Sequence, residues 1–408
     1  MNLSERLKAL GVQPGTQHLK QAQPQKSPAH PIEHVVPGAV YPTLYGETYH
    51  AQSQHPVGSP YGKGAIAFRT PPALLAAWAQ DTALQECQPQ EYLFFDTETT
   101  GLASAGGTYA FLIGAGRFYG DTFRVAQFFL REPGEEAAQL AALSEFASGC
   151  RVWVSFNGRS FDGPLLRTRY TLNGLSNPLE GSLHLDLLLL ARRLWRERLP
   201  SRTLLSLEAR ILGFTRTQED IPSWVIPRLY LDYLTTGDAR LLKSVFYHNE
   251  KDVLAMAALL NHMGDLLHKP LERPETPALD LTGIASVFEK VGDTAQAIRV
   301  YREALQREEL PAESRKKARK RLSFLLKRRA AWEEAVRWWQ QAAEEGEYYA
   351  CEELAKYYEH RARDVATALH WTRQALLRLS TAPKAEQMTW QAPFAHRLAR
   401  LERKNQTK

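Results

Sequence analysis

The fold turns on YLFFDTETTG, residues 92–101. Four large apolar residues are followed by Asp96 and Glu98, two positions apart. Side chains alternate between the faces of a strand, so in a continuing strand these two carboxylates point to the same side. Like charges on one face at the end of an apolar strand repel each other and cost stability unless a cation lies between them. The structural alternative is a strand end running into an Asp/Thr/Gly turn.

Outward from this stretch, two alternating runs follow at 109–118 and 122–130, with Gly120-Asp121 between them as a hairpin signal. Residues 133–149 predict a helix: Glu135 and Glu136 make an acidic first turn, Leu140, Leu143 and Phe146 share a face, and Gly149 is its stop. Residues 152–156 predict another short strand. Helical periodicity then takes over, with breaks at 173–181, 213–226 and Gly237. Three strands, a helix, a strand and then helices predict an α/β domain with a mixed sheet flanked by helices. Upstream, residues 13–69 are rich in Pro, Gly, Gln and His, and predict an extended or loop-like lead-in, with order beginning near Pro71 and a short helix over 74–78. The five histidines of the lead-in follow no ligand pattern and are expected to be solvated loop residues. GSPYGKG, 58–64, fails as a phosphate loop because Gly64 follows Lys63 where a hydroxyl residue is needed.

A chain of 408 residues predicts two or three domains. Its 44% hydrophobic and 24% charged content is that of a globular protein, which excludes disordered and fibrous classes. The excess of 51 Lys and Arg over 45 Asp and Glu is a mild bias towards polyanionic partners. Cys87, Cys150 and Cys351 are far apart and lack metal-like spacing, which fits a reducing compartment without a disulfide framework. Residues 1–12 lack the apolar run of a secretory signal, and the leucine run 187–190 is too short to span a bilayer, so a cytoplasmic location with no membrane partner is expected.

Two further elements offer carboxylates. In SFNGRSFDGP, 155–164, Pro164 suits the first turn of a helix, which puts Asp162 just ahead of its positive end, where the ionised form is favoured. The alternative is a helix cap alone. In YHNEKD, 247–252, inside a helix expected over 239–262, His248 and Asp252 are four residues apart and share a face with Val245, Met256 and Leu259. A buried structural His-Asp pair is the alternative there. His184 and Asp186 open another helix, with Asp186 as its N-cap, and structural capping and a supporting site role are both open.

These elements resemble the DEDD exonuclease superfamily, whose signatures are an acidic DxE in a first strand, Nx(3)FD, and a late helix with an aromatic or His residue before Asp. More narrowly, the chain resembles bacterial YprB-like ribonuclease-H-like proteins with C-terminal TPR repeats, through DTETTGL (96–102), FNGRSFDGPLL (156–166), HLDLLLLARRLW (184–195), DIPSWVIPRLYLDYL (220–234) and HNEKDVLAM (248–256). The resemblance implies that Asp96, Glu98, Asp162 and Asp252 hold two Mg²⁺ or Mn²⁺ ions and that Thr99, Gly101, Leu102, Asn157 and Phe161 contact substrate. It implies 3′-to-5′ exonuclease action on single-stranded DNA or RNA. The family usually places Tyr four residues before the last Asp, or His five before it; here His248 is four before and Tyr247 five before, and His248 is expected to orient the attacking water or act as general base. The rivals are a structure-selective endonuclease and a catalytically silent nucleic-acid-binding or TPR adaptor protein.

Residues 269–277, with three prolines, predict a linker. Beyond it, 292–305, 329–343 and 363–376 align so that Ala297, Ala335 and Ala368 correspond, as do Ala304, Ala342 and Ala375. Spacings near 34 residues predict a TPR-like helical array over 278–408, a surface for a protein partner or an extension of the nucleic-acid path. The resulting division is an irregular lead-in with short helices (1–88), a ribonuclease-H-like exonuclease domain (89–268), the linker, and the array. Nine Lys and Arg residues lie between Arg315 and Arg329, expected to be the solvated face of a helix in preference to a phosphate-binding stripe. Trp338, Trp339 and Trp371 are expected in the core.

Overall fold

The computed structural model describes residues 30–101 and 107–406. Two strands come first, β1 (Ala39–Thr43) and β2 (Gly46–Pro56), joined by a tight turn that ends at Gly46 with φ +110°. A helix α1 (Pro72–Ala79) leads to β3 (Tyr92–Thr99), β4 (Ala110–Tyr119) and β5 (Thr122–Phe129), the last two joined through Gly120 at φ +56°. Then come α2 (Glu136–Phe146), β6 (Val152–Ser155), α3 (Asp162–Leu172), β7 (Leu183–Asp186), α4 (Leu187–Leu194), α5 (Ile226–Thr236) and α6 (Leu242–His268).

The seven strands form one mixed sheet in the order β1-β2-β5-β4-β3-β6-β7. The pairs from β1 to β3 are antiparallel, whereas β3-β6 and β6-β7 are parallel. The α/β architecture expected from the 92–156 pattern is thus present. The loop-like reading of 13–69 needs correction, because β1 and β2 extend the sheet, Tyr49 and Ala51 are buried, and β2 pairs along its length with β5. The alternation of β2 is blurred by the polar residues His50, Ser53 and His55 at half-buried positions. Two of the five histidines also depart from the solvated reading: His50 stacks on Phe128 with centroids 5.0 Å apart, and His55 lies 3.3 Å from the Glu250 carboxylate. His18 lies outside the described residues.

Period two decides what β3 presents to each side. Leu93 and Phe95 pack with Trp153, Leu140, Leu143 and Leu166 beneath α2 and α3, while Tyr92 and Phe94 join the core against α6. Asp96 and Glu98 continue the Tyr92-Phe94 row and so face α6; Thr97 continues the other. Helix α6 lies close because β4 carries Gly114 and Gly116 on that face: a Cβ at Gly114 would be 2.2 Å from Asn249 Oδ1, and one at Gly116 would be 2.6 Å from Val253 Cγ1. The helix has 27 residues, about 40 Å at 1.5 Å per residue, so it crosses the sheet and reaches the C-terminal helices.

Those helices are α7 (Ala278–Val291), α8 (Thr294–Gln306), α9 (Ala312–Arg328), α10 (Trp332–Glu344), α11 (Tyr348–His360), α12 (Val365–Leu379) and α13 (Lys384–Gln406). Short turns fold each back on the one before. All six aligned alanines are fully buried, as close helix crossings require. Trp339 is fully buried, while Trp338 and Trp371 pack at the margin of the core. The array docks on the sheet region through α7: a Cβ at Gly283 would be 2.1 Å from the Leu194 carbonyl oxygen, and Asp280 lies 2.9 Å from Arg198. Among the described residues no helix is long and apolar enough to cross a membrane.

Candidate active site

The C-terminal end of β3, the start of α3 and the middle of α6 meet at one place. Glu98, His248 and Asp252 come together, each offering a donor atom within 4.8 Å of the other two. Asp96 stands beside them. Its Oδ2 accepts a 3.0 Å hydrogen bond from Asn249 Nδ2, and Gln127 Nε2 in turn donates to Asn249 Oδ1 at 2.9 Å. Asn249 is fully buried, so this relay fixes the Asp96 carboxylate from β5 through α6.

Asp162 approaches from the other row of β3. Its carboxylate accepts from Thr97 Oγ1 and does not join the close group of Glu98, His248 and Asp252. The loop that delivers it is tightly built. Asn157 takes φ +70°, a left-handed conformation that asparagine tolerates, and its amide donates to Asp186 Oδ1 at 2.8 Å. A Cβ at Gly158 would sit 2.5 Å from Ser155 Oγ and 3.1 Å from Asp162 Oδ2, so that position has no room for a side chain. Asp186 also caps α4 by accepting from the Leu188 amide at 3.0 Å, so capping and loop support coexist in one carboxylate.

The charges are poorly matched. Asp96 is pushed well above the ordinary carboxylate range by burial and then by Asp252, Glu98 and Asp162. Glu98 is raised likewise by burial, Asp252 and Asp162, against a lowering effect of Arg216. Asp162 is raised by burial in spite of the Thr97 hydrogen bond. The negative charges of Asp252 and Asp162 thus both bear on Asp96 and Glu98.

One buried cation faces this group. Arg216, with its side chain 3% exposed, pairs with Glu208 at 2.7 Å, with Asp220 at 3.5 Å and with Asp252. Burial works against its charge, but Asp252 and Glu208 outweigh that and hold it protonated. Asp220 Oδ1 lies 2.7 Å and Arg216 Nη1 3.3 Å from His248 Nδ1, while Nε2 is 3.2 Å from Ser223 Oγ and 3.6 Å from Asp252 Oδ2. Tyr247 turns elsewhere: its hydroxyl accepts from the Thr217 amide at 3.1 Å and its ring lies under Lys251. His248, not Tyr247, faces the acids.

Of the expected substrate contacts, Thr99 Oγ1 donates to the Gly101 carbonyl at 3.0 Å, Gly101 has open space where a side chain would be, and Phe161 is 57% exposed beside Asp162. Leu102 lies outside the described residues. Sequence reasoning missed Arg216, Glu208, Asp220, Ser223, Asn249 and Gln127. The Gly-x-Gly of β4 was the available signal for Asn249, because glycines in a strand interior mark close approach of another element.

The donor set, carboxylate oxygens with one imidazole nitrogen, fits a hard divalent cation such as Mg²⁺ or Mn²⁺. Residues 93–264 match the model of an RNase H superfamily family. The chain is 34% identical over 357 residues to the uncharacterized protein YprB of Bacillus subtilis (strain 168), an alignment that covers 84% of this chain and 83% of that protein. A sheet with acids gathered at the end of an interior strand, followed by a helical array, thus coincides with likeness along most of the chain, which belongs to the YprB family of RNase H superfamily proteins.

Proposed function

We propose that the protein is a metal-dependent nuclease that hydrolyses phosphodiester bonds of single-stranded DNA or RNA from the 3′ end. The observation that carries this reading is the convergence of Asp96, Glu98 and Asp252 with His248, next to Asp162, in a group whose acids outnumber their cationic partners among the described residues. Asp96, Glu98, Asp162 and Asp252 would hold two Mg²⁺ or Mn²⁺ ions, which when bound supply positive charge against the charge that develops on phosphate oxygens. The protein's own groups do the rest. Asp220 holds the His248 ring so that Nε2 can take a proton from the attacking water. Asn249 fixes Asp96, and Thr97 fixes Asp162, so the acids need little reorganisation on binding.

Phe161 and Trp224, 57% and 82% exposed, flank Asp162 and Ser223 in the chain and offer faces on which unpaired bases stack, which supports a single-stranded substrate. Cys87, Cys150 and Cys351 are free thiols, which supports work in the reducing cytoplasm. The array, which we read as TPR-like, would serve a partner or the substrate.

End-labelled DNA and RNA incubated with Mg²⁺ or EDTA test this, with Asp96→Ala as the control. Stepwise shortening from the 3′ end that needs Mg²⁺ and Asp96 is the expected result. Internal cuts would make it an endonuclease, and no metal-dependent loss would make it an adaptor.

A further inference from the structure

Where α4 and the turn after it meet α7 and α9, the surface forms a groove of about 920 Å³. Arg192, Arg193, Arg196 and Arg202 line one side, Lys317 and Arg321 the other, and Glu197 is the single acid in the lining. Six cations against one acid in a concave surface focus a positive potential on whatever enters.

What these cations already touch separates them. Lys317 is 3.2 Å from Glu197, Arg321 is 3.6 Å from Glu289 and donates to Ser286 at 2.8 Å, and Arg202 donates to the Leu199 carbonyl at 2.5 Å. Arg192, Arg193 and Arg196 have no ion pair and no side-chain hydrogen bond among the described residues. The nine-cation stretch of α9 behaves differently: Lys316, Arg319, Lys327 and Arg328 pair with acids of the array, and Lys320 lies over the Tyr349 ring. That stretch is largely neutralised within the chain, whereas the arginines of α4 and its following turn are free to neutralise something else.

We propose that this groove is a phosphate-binding track for a nucleic-acid strand, with Arg192, Arg193 and Arg196 as its principal contacts; the proposal rests on the nuclease reading for its choice of polyanion. The groove is tied to the acids by α4. Asp186, which caps that helix, also holds the loop that carries Asp162. Eight residues of helix span about 12 Å, so a few nucleotides of extended strand join a phosphate at the acids to one in the groove.

Fluorescence anisotropy of full-length protein with end-labelled oligothymidylate and oligouridylate, in EDTA and over a series of salt concentrations, tests the track. Arg192→Ala/Arg193→Ala/Arg196→Ala is expected to bind roughly tenfold more weakly at moderate salt, with the slope of log K against log salt reduced by about 2, near 0.7 for each lost contact. The corresponding triple Lys variant is expected to retain the wild-type slope, which separates charge from folding. Lys320→Ala/Arg328→Ala/Arg329→Ala, the same change of charge outside the groove, is expected to leave the slope unchanged. Wild-type affinity and slope in the first variant, or an equal loss in the last, would overturn the proposal. Hydrolysis by wild-type protein in Mg²⁺ is read separately: groove-dependent binding without hydrolysis sustains the track and removes the nuclease reading, and hydrolysis with groove-independent binding does the reverse.

Discussion

The candidate active site and the helical array treat buried acids in opposite ways. In the array, Glu359 has a fully buried side chain and is met by Arg397 at 3.1 Å, Arg400 at 2.6 Å and Lys404 at 2.7 Å, while Glu353 is met by Lys327 and by Lys356 at 3.2 Å. At the candidate site Glu208, Asp220 and Asp252 share Arg216, while among the described residues Asp96 and Asp162 accept their side-chain hydrogen bonds from the uncharged Asn249 and Thr97. A chain that supplies several cations to one structural glutamate leaves its most crowded acids short of them. Unmatched charge of this kind lowers stability, and it persists where a function uses it.

The largest effect expected from breaking this contrast is chemical. Asp252→Asn removes one of the close donors and should lower Mg²⁺-dependent hydrolysis by on the order of a thousandfold or more. Initial rates on labelled oligonucleotide would show it, and a rate within a few-fold of wild type would count against the site. Next is Arg216→Met. It leaves Glu208, Asp220 and Asp252 without their shared cation and should cost about 3–5 kcal/mol in EDTA. Denaturant unfolding should show part of that loss restored by Mn²⁺, because the freed carboxylates acquire another cation.

Glu359→Gln sharpens the contrast from the other side. It should cost about 2 kcal/mol, and no divalent cation should recover it. Its pH dependence has a definite sign. Burial pushes Glu359 up, but Arg400 and Lys404 outweigh it and hold the group at about 2. A lowered folded value means that the stabilisation is fully present above the ordinary glutamate value near 4.5 and is lost as pH falls towards 2. The wild-type advantage over Glu359→Gln should therefore shrink across that window in thermal melts. The smallest effect is expected at Arg302, whose pair with Glu334 is 44% exposed on the arginine side; Arg302→Ala should change stability by less than about 1 kcal/mol, with salt reducing it further.

The acids of the candidate site were legible in the sequence and Arg216 was not. Asp96 and Glu98 follow from period two in a strand, and His248 with Asp252 from the i to i+4 spacing of a helix, because local geometry alone puts such pairs on one face. Arg216 and Asp220 lie in irregular chain and Ser223 opens a single 3-10 turn between Leu212 and Ile226, where no sustained period ties a residue type to a direction, so their partners are set by tertiary packing. The same limit hid β1 and β2. Polar residues at half-exposed positions of these strands mask the alternation, and only pairing of β2 with β5 discloses it. The helical array was legible because alanine at a helix crossing is demanded by volume, which sequence records directly, and all six aligned alanines are buried.

Thermal unfolding of metal-free protein with and without Mn²⁺ or Mg²⁺ tests most directly whether the acids of the candidate site bind a divalent cation, with Asp96→Asn measured alongside. The account predicts that the ions raise the wild-type Tm by several degrees, and that Asp96→Asn melts higher than wild type in EDTA while gaining less from the ions. A wild-type Tm indifferent to millimolar Mn²⁺ and Mg²⁺, with Asp96→Asn no more stable in EDTA, would contradict it.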